Sequence, residues 1–198
     1  QARKMELSKK VTEQLMTPFR NLTLKERLRF DTAVDFMGHK LKVREVIAVA
    51  LNMGNEGNRM KLLKGFGWEE DATLQALERI LKPSDLDLIE HFWTTIDTLR
   101  PEIASLSKRV TGIEPEWVQP SPFKIGGRTL KGGYYPIVYN RRLSHKGEQI
   151  AQRKTGDVWE NNFLLPAVEK GFTESRTQFF APVLLSLDVI PSHINEVV

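Results

Sequence analysis

Cysteine is absent from the 198 residues of the chain. Its absence excludes disulfide bonds, thiolate metal ligands and cysteine nucleophiles together. Long apolar runs are missing too, because the longest uninterrupted one lies between Glu45 and Asn52. A helix needs roughly 20 apolar residues to cross a bilayer, so the sequence predicts no membrane span.

The motifs of the common catalytic classes are also missing. No Gly-x-Ser-x-Gly elbow occurs, and the glycine-rich stretches 54–59 and 65–68 lack the Lys-Ser/Thr pair of a phosphate-binding loop. No two histidines lie four residues apart, as a helical metal pair requires; they are His39, His91, His145 and His193. We therefore expect no catalytic residues, no metal site and no cofactor in this chain.

Positive charge is unevenly distributed. The net charge is +4, yet residues 123–154 hold eight basic residues against the single acid Glu148. Such a segment is typical either of a solubilising surface or of a surface that attracts nucleic acid. Tyrosines interleave with the cations, as in single-strand binders. The candidate nucleic-acid-binding residues are Lys124, Arg128, Lys131, Tyr135, Arg141, Arg142 and Arg176.

Apolar residues at helical spacing dominate the N-terminal half. Thr23 and Glu26 have the spacing of a capping box, which predicts a helix that buries Leu28 and Met37 and ends at Gly38. Further helices are predicted over residues 5–16, ending before Pro18, and over residues 41–51, 58–63 and 69–81.

The longest apolar stripe runs from Ile89 to Val110 at spacings of three and four residues. It predicts one long helix, capped by Ser84 and kinked by Pro101, which removes a backbone donor. The width of the stripe favours packing in a helical bundle over a coiled coil.

Composition changes after Gly112, where prolines and paired glycines become frequent. Residues 123–125 and 129–130 flank Gly126 and Gly127 and predict a hairpin, which residues 134–139 could extend as an edge strand. The fold class is therefore mainly α: a helical bundle over residues 1–113, ending in the long kinked helix, then a smaller irregular α+β portion over 114–198. That portion has a short hairpin or meander and the start of a helix after Pro191.

Both ends suggest a piece of a longer polypeptide. The chain begins at Gln1 without an initiator methionine or an apolar signal region, and Val198 falls inside the last predicted helix. We expect further domains on either side and no secretion through a signal of its own.

Four short sequence segments, called phrases below, resemble a region of the very large polyvalent, or internal virion, proteins of bacteriophages and prophages. They are residues 50–55 with Asn58 and Arg59, residues 100–112, residues 130–139, and residues 187–190 with His193. A shorter phrase, residues 171–176, also matches, although Phe172 stands where the family more often has His. That departure argues against a catalytic role for Arg176.

The resemblance implies a phage origin, storage in the virion and delivery into the bacterial cytoplasm with the DNA. It favours a non-enzymatic structural or interaction module whose partners are other segments of the parent polypeptide or virion proteins. Two alternatives stay open. One is a module that associates with DNA or RNA through residues 124–154; the other is a fragment of a phage enzyme whose catalytic residues lie partly outside the chain.

Overall fold

The computed structural model describes residues 2–135. The predictions for residues 136–198, including most of the basic segment and the last helix, lie outside the described residues.

The described part consists mainly of helices, with two small antiparallel hairpins, so the predicted fold class is confirmed. The elements in chain order are α1 (Ala2–Arg20), α2 (Leu24–Phe30), β1 (Ala33–Phe36), β2 (His39–Lys42), α3 (Val43–Asn52), α4 (Glu56–Phe66), α5 (Glu70–Ile80), α6 (Pro83–Asp97), α7 (Arg100–Thr111), β3 (Phe123–Ile125) and β4 (Arg128–Leu130).

Helix α3 lies at the centre of the core. All ten of its residues are buried, and it contacts α2, α4, α5, α6 and the first hairpin. Helix α6 packs between α3 and α1 and contributes the fully buried Phe92 and Trp93. From Val46 to Leu51 the sequence of α3 is wholly apolar, as expected of a helix that is buried on all sides.

The predicted helix from Leu24 to Gly38 is wrong beyond Phe30. A β-hairpin follows instead, in which Val34 pairs with Leu41 and Phe36 with His39. Its two-residue turn has positive φ at Met37 (52°) and Gly38 (79°), the backbone that matches the twist of paired strands. Leu28, which was expected to be buried, is 59% exposed.

The single kinked helix is also a wrong prediction, because the chain leaves the helix at Thr98 and Leu99 and begins α7 at Arg100. Pro101 lies in the first turn of α7, where its missing N–H has no partner to lose. Pro101 therefore lies at the start of α7 and does not kink a longer helix.

Two smaller predictions about helix ends need correction. Pro18 lies inside α1, which continues to Arg20. Ser84 does not cap α6: the N-cap position is Lys82, and the carboxylate of Asp85 accepts the Lys82 backbone N–H at 2.8 Å.

The second hairpin forms where it was predicted. Phe123 pairs with Leu130 and Ile125 with Arg128, and the buried side chains Phe123, Ile125 and Leu130 face the helices. Residues 134 and 135 are not in a strand, and residues 136–139 lie beyond the described part. The division of the chain near residue 113 stays a prediction, although β3 contacts α5.

The capping box of α2 generates a test that depends on pH. Glu26 accepts from both the backbone N–H and the hydroxyl of Thr23, each at 2.7 Å, and these hydrogen bonds lower the pKa of Glu26 below its ordinary 4.5. Glu26 therefore stabilises α2 above pH 4.5, and that contribution is lost as pH falls through the lowered pKa. We expect Thr23→Ala to return the pKa of Glu26 towards 4.5 in an NMR titration. An unchanged pKa would show that the hydroxyl of Thr23 does not cause the shift.

Candidate functional site

Two regions far apart in sequence meet on one side of α6. The first is the α3–α4 corner, residues 52–59, and the second is the segment 121–135 that contains the hairpin β3–β4. Both contain phrases on which the resemblance to phage proteins rests, and several hydrogen bonds between residues more than sixty positions apart join them.

The backbone of Gly54 is the meeting point. Its carbonyl oxygen accepts hydrogen bonds from the N–H of Ser121 at 2.9 Å and of Gly133 at 2.8 Å. The ring of Trp93 lies directly against Gly54 and Gly133, so a Cβ atom at either glycine would overlap it. The indole N–H of Trp93 donates to the carbonyl of Leu51 at 3.2 Å. This close approach of two backbones requires glycine.

Three asparagines extend the contact. Asn58 donates its side-chain amide to the carbonyl of Tyr135 at 2.7 Å and to Oδ1 of Asn52 at 3.3 Å. Asn55 caps α4 by accepting the N–H of Asn58 and donates to the carbonyl of Gly133 at 3.2 Å. Since all three are buried, each unmade hydrogen bond would be costly, and their networked amides specify one position for the second segment.

Arg59 completes the corner. Its guanidinium donates to the carbonyls of Met53 (2.9 and 3.0 Å) and Ser121 (3.1 Å), and it forms an ion pair with Glu70 at 3.0 Å. It also lies 5.6 Å from the centre of the Phe123 ring. With its donors directed at the protein's own groups, Arg59 supports the fold and does not face a ligand.

The predicted nucleic-acid residues that fall in the described part do not form one free basic surface. Lys124 is exposed on β3. Arg128 forms an ion pair with Asp87 of α6 at 2.6 Å, and Lys131 donates its ammonium to the hydroxyl of Thr94 and its backbone N–H to Glu90 at 2.8 Å. Acidic residues of α6 thus compensate part of the charge.

Tyr135 has to be removed from the candidate set. Only 1% of it is exposed, and burial raises the pKa of its hydroxyl well above the ordinary value. A ring in the core offers no face to a nucleic-acid base. Arg141, Arg142 and Arg176 lie outside the described residues, so their role stays a prediction.

A cavity of about 480 Å³ lies between the end of α1, α2 and the start of α6. Phe19, Phe30 and Leu88 form its apolar walls. Arg29 and Asp85 line it as a two-pronged ion pair with distances of 2.8 and 2.7 Å, so each satisfies the other's charge. This ion pair joins α2 to α6.

Residues 2–135 include no group of three or more histidines, aspartates and glutamates placed to hold a metal ion. Within the same range, no helix is both long enough and apolar enough to cross a bilayer. Comparison of the chain with known protein families, curated proteins and solved structures found no match.

Sequence reasoning singled out residues 54–59 only as a rejected phosphate loop and as part of a resemblance. Their role as a structural corner was missed. The available signal was the run of Asn and Gly after the apolar stretch from Val46 to Leu51, a composition that favours caps and close backbone contacts.

The corner predicts opposite effects of alanine at two neighbouring glycines. Gly54→Ala should lower the free energy of unfolding by about 1–3 kcal/mol, because its methyl group overlaps Trp93. Gly57→Ala, in the first turn of α4 with only Oδ1 of Asn55 near the added methyl group at 3.6 Å, should be neutral or stabilising by up to about 1 kcal/mol. Urea unfolding of both variants measures the difference, and equal effects would contradict the proposed packing.

If the chain binds nucleic acid, the ion pairs predict which basic residues contribute most to the affinity. Lys124→Gln should weaken retention of a single-stranded oligonucleotide more than Arg128→Gln, because Asp87 already neutralises Arg128. Each lost phosphate contact should reduce the salt slope by about 0.7. Filter binding at several salt concentrations measures both variants. Absence of binding at low salt would eliminate the nucleic-acid hypothesis, and equal losses would contradict the assigned ion pair.

Proposed function

We propose that the chain is a non-enzymatic structural and interaction module of a large, phage-derived, virion-associated protein. The observation that carries the proposal is the interlocking of two phrases that resemble the phage proteins. Asn55 and Asn58, from the first phrase, donate to the carbonyls of Gly133 and Tyr135, from the third. Because these residues bond to each other inside the protein, they support a structural role for the module.

The second phrase, residues 100–112, supports the interaction half of the proposal. It forms α7, of which only Ile103 is buried. Val110 and Ile113 at its far end are 72% and 71% exposed, and Val118 is 42% exposed. Neighbouring exposed apolar side chains mark surfaces that pack against another protein. Helix α7 is therefore suited to contact a further segment of the parent polypeptide or a second virion protein.

The chemistry of the described part supports a role without catalysis. Its buried and partly buried arginines are directed at carboxylates inside the protein: Arg29 at Asp85, Arg44 at Asp31 and Arg59 at Glu70. Such pairs fix the positions of the elements relative to one another. The location in the virion and the delivery into the bacterial cytoplasm are proposed from the resemblance.

Purified phage particles test this function. We expect peptides of residues 2–135 in density-purified virions, at a constant ratio to the capsid protein, when their tryptic digests are quantified by mass spectrometry. Chemical cross-linking should join Lys108, which is exposed on α7, to another virion protein or to a distant part of the same polypeptide. Peptides confined to the host lysate, and absent from the particles, would overturn the proposal.

A further inference from the structure

We propose that the exposed face of α2 docks an acidic, apolar segment of the same chain, residues 157–169. This inference concerns a contact within the chain and does not depend on the virion role.

The face is formed by Leu24 and Leu28, which are 73% and 59% exposed. They are four positions apart, so they lie on one side of the helix. Lys25 and Arg27 are also exposed, and at 100° per residue they stand on either side of the two leucines. Helix α2 has no buried residue at all. The result is an apolar strip bordered by positive charge.

The acidic residues of α2 do not neutralise this border. Glu26 lies on the opposite side of the helix, where it accepts from Thr23 and lines the cavity. Asp31, which follows α2, pairs with Arg44 at 2.8 Å and with Lys42 at 3.3 Å. The charges of Lys25 and Arg27 therefore remain to attract an acidic partner.

The complementary chemistry occurs in the chain itself. Residues 157–169 contain three acids and no lysine or arginine, together with six large apolar residues. The acids are Asp157, Glu160 and Glu169; the apolar residues are Val158, Trp159, Phe163, Leu164, Leu165 and Val168. A second copy of α2 fits less well, because it would bring like charges together.

The connecting chain is long enough. Twenty-one residues separate Tyr135 from Asp157, and they span up to about 70 Å when extended. That exceeds the size of a body of this length, whose radius of gyration is roughly 14 Å. Tethering also gives the segment a high effective concentration at the face, which an unlinked partner lacks.

The absence of cysteine permits a direct test on the full chain. Leu28→Cys combined with Asn162→Cys should form an intramolecular disulfide in a thiol–disulfide buffer on the order of tenfold faster than a control pair, because docking raises the local thiol concentration. The control combines Asn162→Cys with Thr129→Cys, which is exposed on β4. Reduced and oxidised monomers separate by electrophoresis.

Charge reversal makes the test specific. Lys25→Glu with Arg27→Glu should slow the Leu28/Asn162 disulfide to the control rate, and adding Asp157→Lys with Glu160→Lys should restore it. Equal rates for the two cysteine pairs would overturn the proposal, as would disulfide-linked dimers in place of monomers. Co-flotation of the unmodified chain with phosphatidylserine vesicles, lost on reversal of Lys25 and Arg27, would also overturn it by assigning the face to a lipid surface.

Discussion

The carbonyl oxygen of Gly54 fixes segment 121–135 against the helices of the described part. It accepts two backbone hydrogen bonds, from Ser121 and Gly133, where the ring of Trp93 leaves no room for a Cβ atom. Through this contact a segment with little regular structure lies in one place against α3, α4 and α6. The amides of Asn55 and Asn58 and the guanidinium of Arg59 donate to three more backbone carbonyls of this segment, since buried backbone groups need partners.

The same contact explains why the basic segment does not stand out as a free surface. Once segment 121–135 lies on α6, Arg128 reaches Asp87 and Lys131 reaches Glu90 and Thr94. A charge that is conspicuous along the sequence is partly compensated in three dimensions. The exposed large apolar side chains of the described part lie elsewhere, among them Leu24 and Leu28 of α2 and Val110 of α7.

Helices and the capping box at Thr23 could be predicted because their signals are local and repeat every three to four residues. The first hairpin could not, because its four-residue strands are too short to show alternation and the spacing from Leu28 to Met37 resembles a helix. The break at Thr98 was hidden since Ile96, Leu99 and Ile103 are all buried and keep helical spacing across it. The carbonyls of Tyr135 and Ser121, to which Asn58 and Arg59 donate, lie more than sixty positions away along the chain, and no local pattern reveals these contacts.

Amide hydrogen exchange at Ser121 and Gly133 tests the central claim most directly. Both N–H groups bond to a buried carbonyl, so they should exchange as slowly as the amides of α3, such as that of Ala50, and open with them in one cooperative step. Exchange of Ser121 and Gly133 at the rate of an unprotected loop, while α3 stays protected, would show that segment 121–135 is not held by Gly54.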